Sequence, residues 1–251
     1  QFNTPSCIDE LTMLCAERNV PLVFDAVHGL YCTHRGEPVG RFGAAEVFST
    51  HATKSINGFE GGYITTRDAE LAEKLRRLFR GDAVGTAPGL PGGMSDLHVA
   101  FALASLEGID AQMARNRARY AAYVEGLHGL DGVRLFAYRD DGERYNYTFA
   151  LIEVLPELGI SRDELGTLLR AEGARALAYY GAPTHASAKH RPPEIPPPNL
   201  PNTDRLSERF LQLPVGDHTS VRDAQRVCAR LGDIHELRRP IRAALDERGA
   251  E

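Results

Sequence analysis

The sequence predicts an α/β domain followed by a smaller α+β domain, and three observations carry that reading. Over the first hundred residues, helical patterns alternate with short apolar runs that stop at polar residues, as the strands and crossover helices of an α/β domain do. Beyond Gly129 the order changes to two strand-like runs, a capped helix and a third strand-like run, which is α+β patterning. The composition, 43% apolar and 25% charged over 251 residues, suits one large domain or two modest ones and excludes wholesale disorder.

Taken in order, Ser6 with Asp9 reads as the capped start of a helix. Its Ile8, Leu11, Leu14 and Cys15 recur at helical spacing, and it runs to about Asn19. Pro21-Leu22-Val23-Phe24 is a continuous apolar run halted by Asp25, as a buried parallel strand would be. Glu46-Val47-Phe48 predicts a second strand leading into Ser49, Thr50 and His51, and Gly62 to Thr66 a third. Asp68 then opens a helix through Arg80, stopped by Gly81. Residues 81–93, rich in Gly and Pro, read as a loop.

Two helices follow, from about Ser95 to Leu106 and from Asp110 to Leu127, the second with Met113, Tyr120, Val124 and Leu127 on one stripe. Val133 to Tyr138 and Tyr145 to Val154 pattern as strands, Ser161 with Glu164 caps a helix to about Ala171, and Ala174 to Tyr180 patterns as a third strand. The proline-rich stretch from Arg191 to Asn202 reads as a stiff surface loop rather than a polyproline ligand. Ser220 with Asp223 opens the last domain helix, and Glu236 to Glu251 reads as a charged tail.

Composition narrows the function classes. Twenty-nine basic against 34 acidic residues give a net charge of -5, without the basic excess that nucleic-acid or anionic-membrane binding needs. No apolar run approaches the roughly 18 residues of a membrane span, so neither nucleic acid nor membrane is expected as a partner. The four cysteines form no CxxC pair and no disulfide-dense spacing, which suits a reduced, cytoplasmic protein. Cys32, His28, His34 and His51 match no structural zinc spacing, and no metal is expected. Lysine occurs only at Lys54, Lys74 and Lys189. The chain starts at Gln1, with no targeting signal ahead of it, and reads either as processed or as a piece of something longer.

In parallel α/β sheets, ligands gather at the carboxyl ends of the strands. Asp25 stands at one such end and Lys54 a few residues past another, with His28 and His51 between them and Gly58, Gly61 and Gly62 beyond. Separately, each has an ordinary explanation: an Asp after a strand is often a cap, and a lone Lys is usually solvated. Together they suggest more. Lys54 is flanked by Ser, His and Thr rather than by charges, and a partly buried lysine can act as a nucleophile toward a carbonyl. An aspartate nearby could keep a pyridine nitrogen protonated, so Lys plus Asp is the minimal pair for pyridoxal-phosphate chemistry.

These residues stand in a recognisable setting. Phe24-Asp25-Ala26-Val27-His28, the run from Gly40 to Lys54 ending Ser49-Thr50-His51-Ala52-Thr53-Lys54, and Phe59-Glu60-Gly61-Gly62 resemble the DegT/DnrJ/StrS sugar aminotransferases, within fold type I of the pyridoxal-phosphate enzymes. Met94-Ser95-Asp96 is similar to the family's segment before its bridging helices, and Asn202 to Leu206 through Leu213-Pro214 to its closing segment. The resemblance implies a partial large domain over residues 1–108, a mostly parallel sheet with flanking helices. A bridging helix over 109–128, a small C-terminal α+β domain over 129–235 and a tail over 236–251 would follow. It further implies that Lys54 is the catalytic lysine, bonding covalently to the cofactor and shuttling protons. Asp25 would hold the pyridine nitrogen, His28 would neighbour the phenolic oxygen and Ser49 would contact the phosphate. His51 would support this group, and His185 would lie near the substrate's nucleotide portion. The implied reaction passes an amino group from a donor, glutamate in the family, to a keto-deoxysugar on a nucleotide, in a homodimer.

The resemblance has departures. Gln1 aligns inside the family's large domain, so an N-terminal section with its phosphate-binding nest is expected to be missing from this fragment. Pro91-Gly92-Gly93 stands where relatives carry an Asn and a basic residue, and Leu177 and Ala178 replace arginines of close relatives. These departures keep two alternatives open: the same chemistry on a cyclitol or other cyclic ketone, and a non-catalytic remnant acting as a dimer partner.

Overall fold

A computed structural model describes residues 6–80, 92–178, 183–187 and 195–249. The chain divides into two compact units: Gln1–Ala114 with Tyr138–Asn146, and Arg115–Ala137 with Tyr147–Glu251.

The first unit opens with helix α1 (Ile8–Glu17). Its first turn is not capped by Ser6. Cys7 occupies the N-cap without a side-chain bond, while the Asp9 carboxylate pairs with His34 at 3.0 Å and Arg35 at 2.8 Å. Strands β1 (Val23–Asp25), β4 (Ala45–Ser49) and β5 (Gly62–Thr65) form a mixed sheet in the order β1-β4-β5. β1 lies parallel to β4, and β5 antiparallel to it. A small hairpin of β2 (Thr33–His34) and β3 (Glu37–Pro38) interrupts the chain between β1 and β4. On one face Phe48 stacks on Tyr63 with ring centroids 4.7 Å apart, and the buried Glu46 carboxylate accepts the backbone N–H groups of Gly40 and Phe42, both at 2.7 Å. The opposite face carries Asp25 among the exposed Val23, Val47 and Ile64.

Helix α2 (Ala69–Arg80) starts where Asp68 accepts from the N–H groups of Glu70 and Leu71. Helix α3 (Asp96–Glu107) starts at Ser95, whose hydroxyl accepts from His98 N. α3 buries none of its residues, although Leu97, Phe101 and Leu103 are on it. Gly81, most of the predicted 81–93 loop and much of the proline-rich stretch lie outside the described residues.

Helix α4 (Ile109–Gly126) runs from the first unit into the second. Its buried stripe is Met113, Tyr120 and Tyr123, continued by Leu127 just past its end, whereas Val124 is half exposed. Both choices obey helical spacing, and Tyr123 takes the inward place because its hydroxyl donates to the Pro214 carbonyl at 2.8 Å.

The second unit is built on an antiparallel sheet of β6 (Val133–Leu135), β7 (Ala150–Val154) and β8 (Phe210–Leu213), with β7 in the centre and buried throughout. Of the predicted third strand over Ala174 to Tyr180, only Leu177 pairs with the sheet among the described residues, on the side of β8 away from β7, and Tyr179 and Tyr180 lie outside the described residues. That pairing is an isolated bridge to Gln212, and the strand beside β7 is β8, reached through helix α6 (Pro201–Arg209), which has Pro201 at its first position. The strand expected from Tyr145 begins at Ala150, because Tyr145 and Asn146 serve the first unit. Helix α5 (Arg162–Ala171) packs against β8 and helix α7 (Val221–Glu236) against α5, both opened by the capping boxes of the sequence reading, Ser161 with Glu164 and Ser220 with Asp223. Residues 238–249, within the charged segment read as a tail, form helix α8 (Arg238–Gly249), whose Arg242 pairs with Glu164 at 2.9 Å.

Ile152, Leu165, Leu169, Leu211 and Leu213 have no appreciable exposure, and each such side chain contributes about 1.5–3 kcal/mol by leaving water. Leu169→Ala is therefore expected to cost about 2–5 kcal/mol in urea unfolding, whereas Val124→Ala, at the half-exposed position, should stay within about 0.5 kcal/mol. Equal costs would refute this placement of the core.

Candidate active site

Five of the predicted site residues come together in the first unit because two strands end side by side. Asp25 is the last residue of β1 and pairs with Val47 of β4. Ser49 is the last residue of β4, so the chain leaves the sheet at this edge twice, once toward His28 and once toward Lys54. The Asp25 carboxylate accepts from Val27 N at 3.1 Å and starts a turn, with Gly29 N bonding back to the Ala26 carbonyl. That turn carries His28 toward Lys54. Lys54 Nζ lies 3.2 Å from His28 Nε2.

The segment from Thr50 to Gly61 is laced shut. Thr50 N donates to Gly61 O, Ala52 N to Phe59 O, Gly58 N to Thr50 O and Lys54 N to His51 O. Ser105 of α3 holds its tip, accepting from Asn57 N at 3.0 Å. His51 works inside this loop: Nδ1 sits 2.9 Å from Thr53 Oγ1 and accepts from Thr53 N, and Nε2 is 3.8 Å from Glu60. Ser49 Oγ accepts from His51 N at 3.2 Å, leaving its hydroxyl hydrogen to donate.

The glycines answer to the protein's own packing. A Cβ on Gly62 would stand 2.3 Å from the Phe48 carbonyl oxygen, and one on Gly61, at φ +111°, would meet Met94 at 2.4 Å. They let β5 and Met94 close on β4 rather than forming an open cradle.

Electrostatics separates the two nitrogen groups. Burial presses the His28 imidazole down to about 4, the Lys54 charge adds to this, and Asp25 pulls partly the other way. At neutral pH His28 is therefore an uncharged ring, able to accept a hydrogen bond from the Lys54 amine. An amine beside a neutral acceptor, with a carboxylate at the same edge, is a donor set suited to a carbonyl-bearing cofactor with a basic ring nitrogen.

His185 belongs to the second unit, in a short 3-10 turn, Thr184–Ala186, with Nε2 at 2.9 Å from Asp204 of α6. Two residues absent from the sequence reading also shape the site: Ser105, and Asn146, whose amide donates to the carbonyls of His28 and Leu30. Neither lies in a motif. Among the described residues, no group of three or more His, Cys, Asp or Glu side chains could hold a metal ion, and no helix is long and apolar enough to cross a membrane.

A model of the DegT/DnrJ/EryC1/StrS aminotransferase family matches residues 4–232. The chain belongs to this family. Aminotransferases of the family depend on pyridoxal phosphate, and the mixed α/β architecture is that of fold type I. Among solved structures, the chain is similar to DesI, a protein solved in the presence of its TDP-sugar product, with 36% identity and a TM-score of 0.87 over 100% of this chain. It is also similar to DesV of S. venezuelae, with 27% identity and a TM-score of 0.83 over 94% of this chain. A third is the aminotransferase TlmJ of Streptoalloteichus hindustanus, with 26% identity and a TM-score of 0.80 over 89%. The chain spans 63%, 63% and 61% of those three proteins.

The depressed His28 sets a sign for acid stability. An unfolded imidazole takes its proton near 6.5 and the folded one only near 4, so His28 costs stability increasingly as pH falls through that window. Urea midpoints measured from pH 7 to 4.5 should fall less steeply in His28→Gln than in the parent; parallel curves would contradict a neutral, half-buried His28.

Proposed function

We propose that this chain carries the catalytic lysine of a pyridoxal-phosphate-dependent aminotransferase. The reading has it move an amino group from an amino donor, glutamate by family likeness, to a keto-deoxysugar attached to a nucleotide. The contact between Lys54 and the neutral His28, on the strand edge that ends in Asp25, is the observation that carries it. When bound, pyridoxal phosphate supplies an electron sink that accepts the pair left as the donor's Cα–H bond breaks.

The residues divide the remaining work. Lys54 Nζ is the nucleophile that holds the cofactor and, once released, the base that takes the Cα proton and returns it to the acceptor carbon. His28 Nε2, uncharged, accepts from the Lys54 amine and directs it without competing for the proton. Asp25 is the carboxylate that keeps a proton on the ring nitrogen, and the Ser49 hydroxyl is a donor for the phosphate. His51 supports them by fixing the turn between Ser49 and Lys54. His185, oriented by Asp204, is assigned to the nucleotide side of the substrate.

The family, and the TDP-sugar product in whose presence DesI was solved, support a nucleotide-sugar acceptor. Leu177, exposed and apolar where the family resemblance leads one to expect an arginine, favours a second reading in which the acceptor is a cyclitol or another cyclic ketone. A screen of keto sugars against keto cyclitols separates the two.

Full-length protein purified with pyridoxal phosphate should show the visible absorbance of the lysine-bound cofactor. Lys54→Ala should abolish it, and Asp25→Asn should keep the cofactor while slowing amino transfer by on the order of 10²-fold. Absence of the band in the parent, or its persistence in Lys54→Ala, overturns the reading and leaves a non-catalytic partner protein.

The partner is read as a second copy, because α3 presents Leu97, Phe101 and Leu103 to solvent on one short helix. Light scattering should give a dimer mass, and Leu103→Glu should shift it toward the monomer; a monomeric parent protein would sink the homodimer.

A further inference from the structure

The loop that carries His28 is shaped largely from outside. Between Ala26 and Cys32 two backbone turns follow each other, Gly29 N to Ala26 O and Cys32 N to Gly29 O. Tyr31 is then held at φ +71°, a left-handed conformation that a tyrosine adopts only when its surroundings impose it. Those surroundings are a strap, residues 141–146, that comes from between β6 and β7 yet groups with the first unit. Arg144 Nε donates to the Tyr31 carbonyl at 2.7 Å, and its guanidinium lies 4.4 Å from the Tyr31 ring centroid. Thr33 N donates to Arg144 O, Arg144 N to Thr33 Oγ1, and the Glu143 carboxylate accepts from Thr33 Oγ1 and Gly36 N.

At the end of the strap is Asn146, buried at 3% exposure. Its Nδ2 donates to His28 O at 2.9 Å and to Leu30 O at 3.0 Å. Bridging two carbonyls two residues apart with one atom needs two hydrogens on that atom, which a carboxamide has and a hydroxyl or carboxylate lacks.

We propose that Asn146 is a positioning residue for this site: by clamping the His28 and Leu30 carbonyls, it sets the His28 ring against the Lys54 amine. The inference rests on the reading of Lys54 as the reactive amine. His28 has to stay within reach of Lys54 and out of water to remain a neutral acceptor, and the clamp acts on the backbone of His28 itself. Lys54 and Asp25 are among the charged groups acting on the ring, and a ring that swings away feels less of both and regains solvent.

The test is the titration of the His28 ring, followed through its imidazole 15N shifts in the cofactor-free chain. The parent should keep His28 neutral down to about pH 4. In Asn146→Ala the midpoint should climb by about one unit or more toward the ordinary imidazole value. Glu143→Gln, which loosens the same strap at Thr33 and Gly36, should lower the melting temperature without moving that midpoint. A purely structural Asn146 would behave as Glu143 does, so a folded Asn146→Ala with the parental His28 midpoint overturns the inference. Should Asn146→Ala not fold, Asn146→Ser, which keeps one donor, is read by the same two outcomes. An unmoved midpoint removes the clamp and leaves the aminotransferase reading standing. Failure of the Lys54→Ala absorbance test removes that reading and leaves the clamp measurable.

Discussion

The parallel pairing of β1 with β4 is the constraint on which the site depends. Only three residues of β1 take part, in the register Val23 with Ala45, Phe24 with Glu46 and Asp25 with Val47, extended by Ala26 N donating to Val47 O at 2.9 Å. A slip of one residue would turn Asp25 to the face where Phe48 stacks on Tyr63, because side chains alternate along a strand. In the observed register Asp25 faces outward, and the chain departs toward His28 just where β4 departs toward Lys54. Two segments that begin at the same edge can place a lysine amine and an imidazole within one hydrogen bond.

That closeness then works through desolvation. An imidazole in water is largely neutral at pH 7 but takes a proton in mild acid; enclosure beside Lys54 removes that option until far lower pH. The laced loop from Thr50 to Gly61 keeps Lys54 in place, since its backbone is tied at Thr50, Ala52 and Lys54 and its tip at Ser105. Gly61 and Gly62 belong to the same device, because side chains there would push Met94 and β4 away from the loop.

The legible part of the site is the local part. Asp25, His28, Ser49, His51 and Lys54 fall within thirty residues, on strand ends and turns whose punctuation is written in neighbouring residues, so a one-dimensional reading reaches them. Asn146 is 118 positions from His28, in a stretch that patterns as a strand, and no local signal marks an amide that serves another segment. The same limit explains the second sheet. Ala174 to Tyr180 patterns as a third strand, yet β7 pairs with Phe210 to Leu213, a partner decided by where α6 delivers the chain. Capping boxes were legible at Ser161 and Ser220 because both partners lie within one helical turn, whereas the Ser6 pattern was overridden when Asp9 found His34 and Arg35.

His185 depends on a chain of charge in the second unit. Glu153, on the central strand, is fully buried, and a carboxylate left there without a partner would cost about 3–5 kcal/mol. Arg134 from β6 and Arg205 from α6 each hold one of its oxygens, with Arg209 of α6 at 3.9 Å. Because two of the three arginines come from α6, the need to pair Glu153 fixes that helix on the sheet. Asp204, adjacent to Arg205, then presents its carboxylate to His185 at 2.9 Å. The position of His185 is thus tied, through Asp204 and α6, to a buried charge on the central strand. Retaining an ionic group at the centre of an otherwise apolar strand is intelligible on those terms: a leucine at 153 would pack, but it would leave α6, and with it His185, without a defined seat.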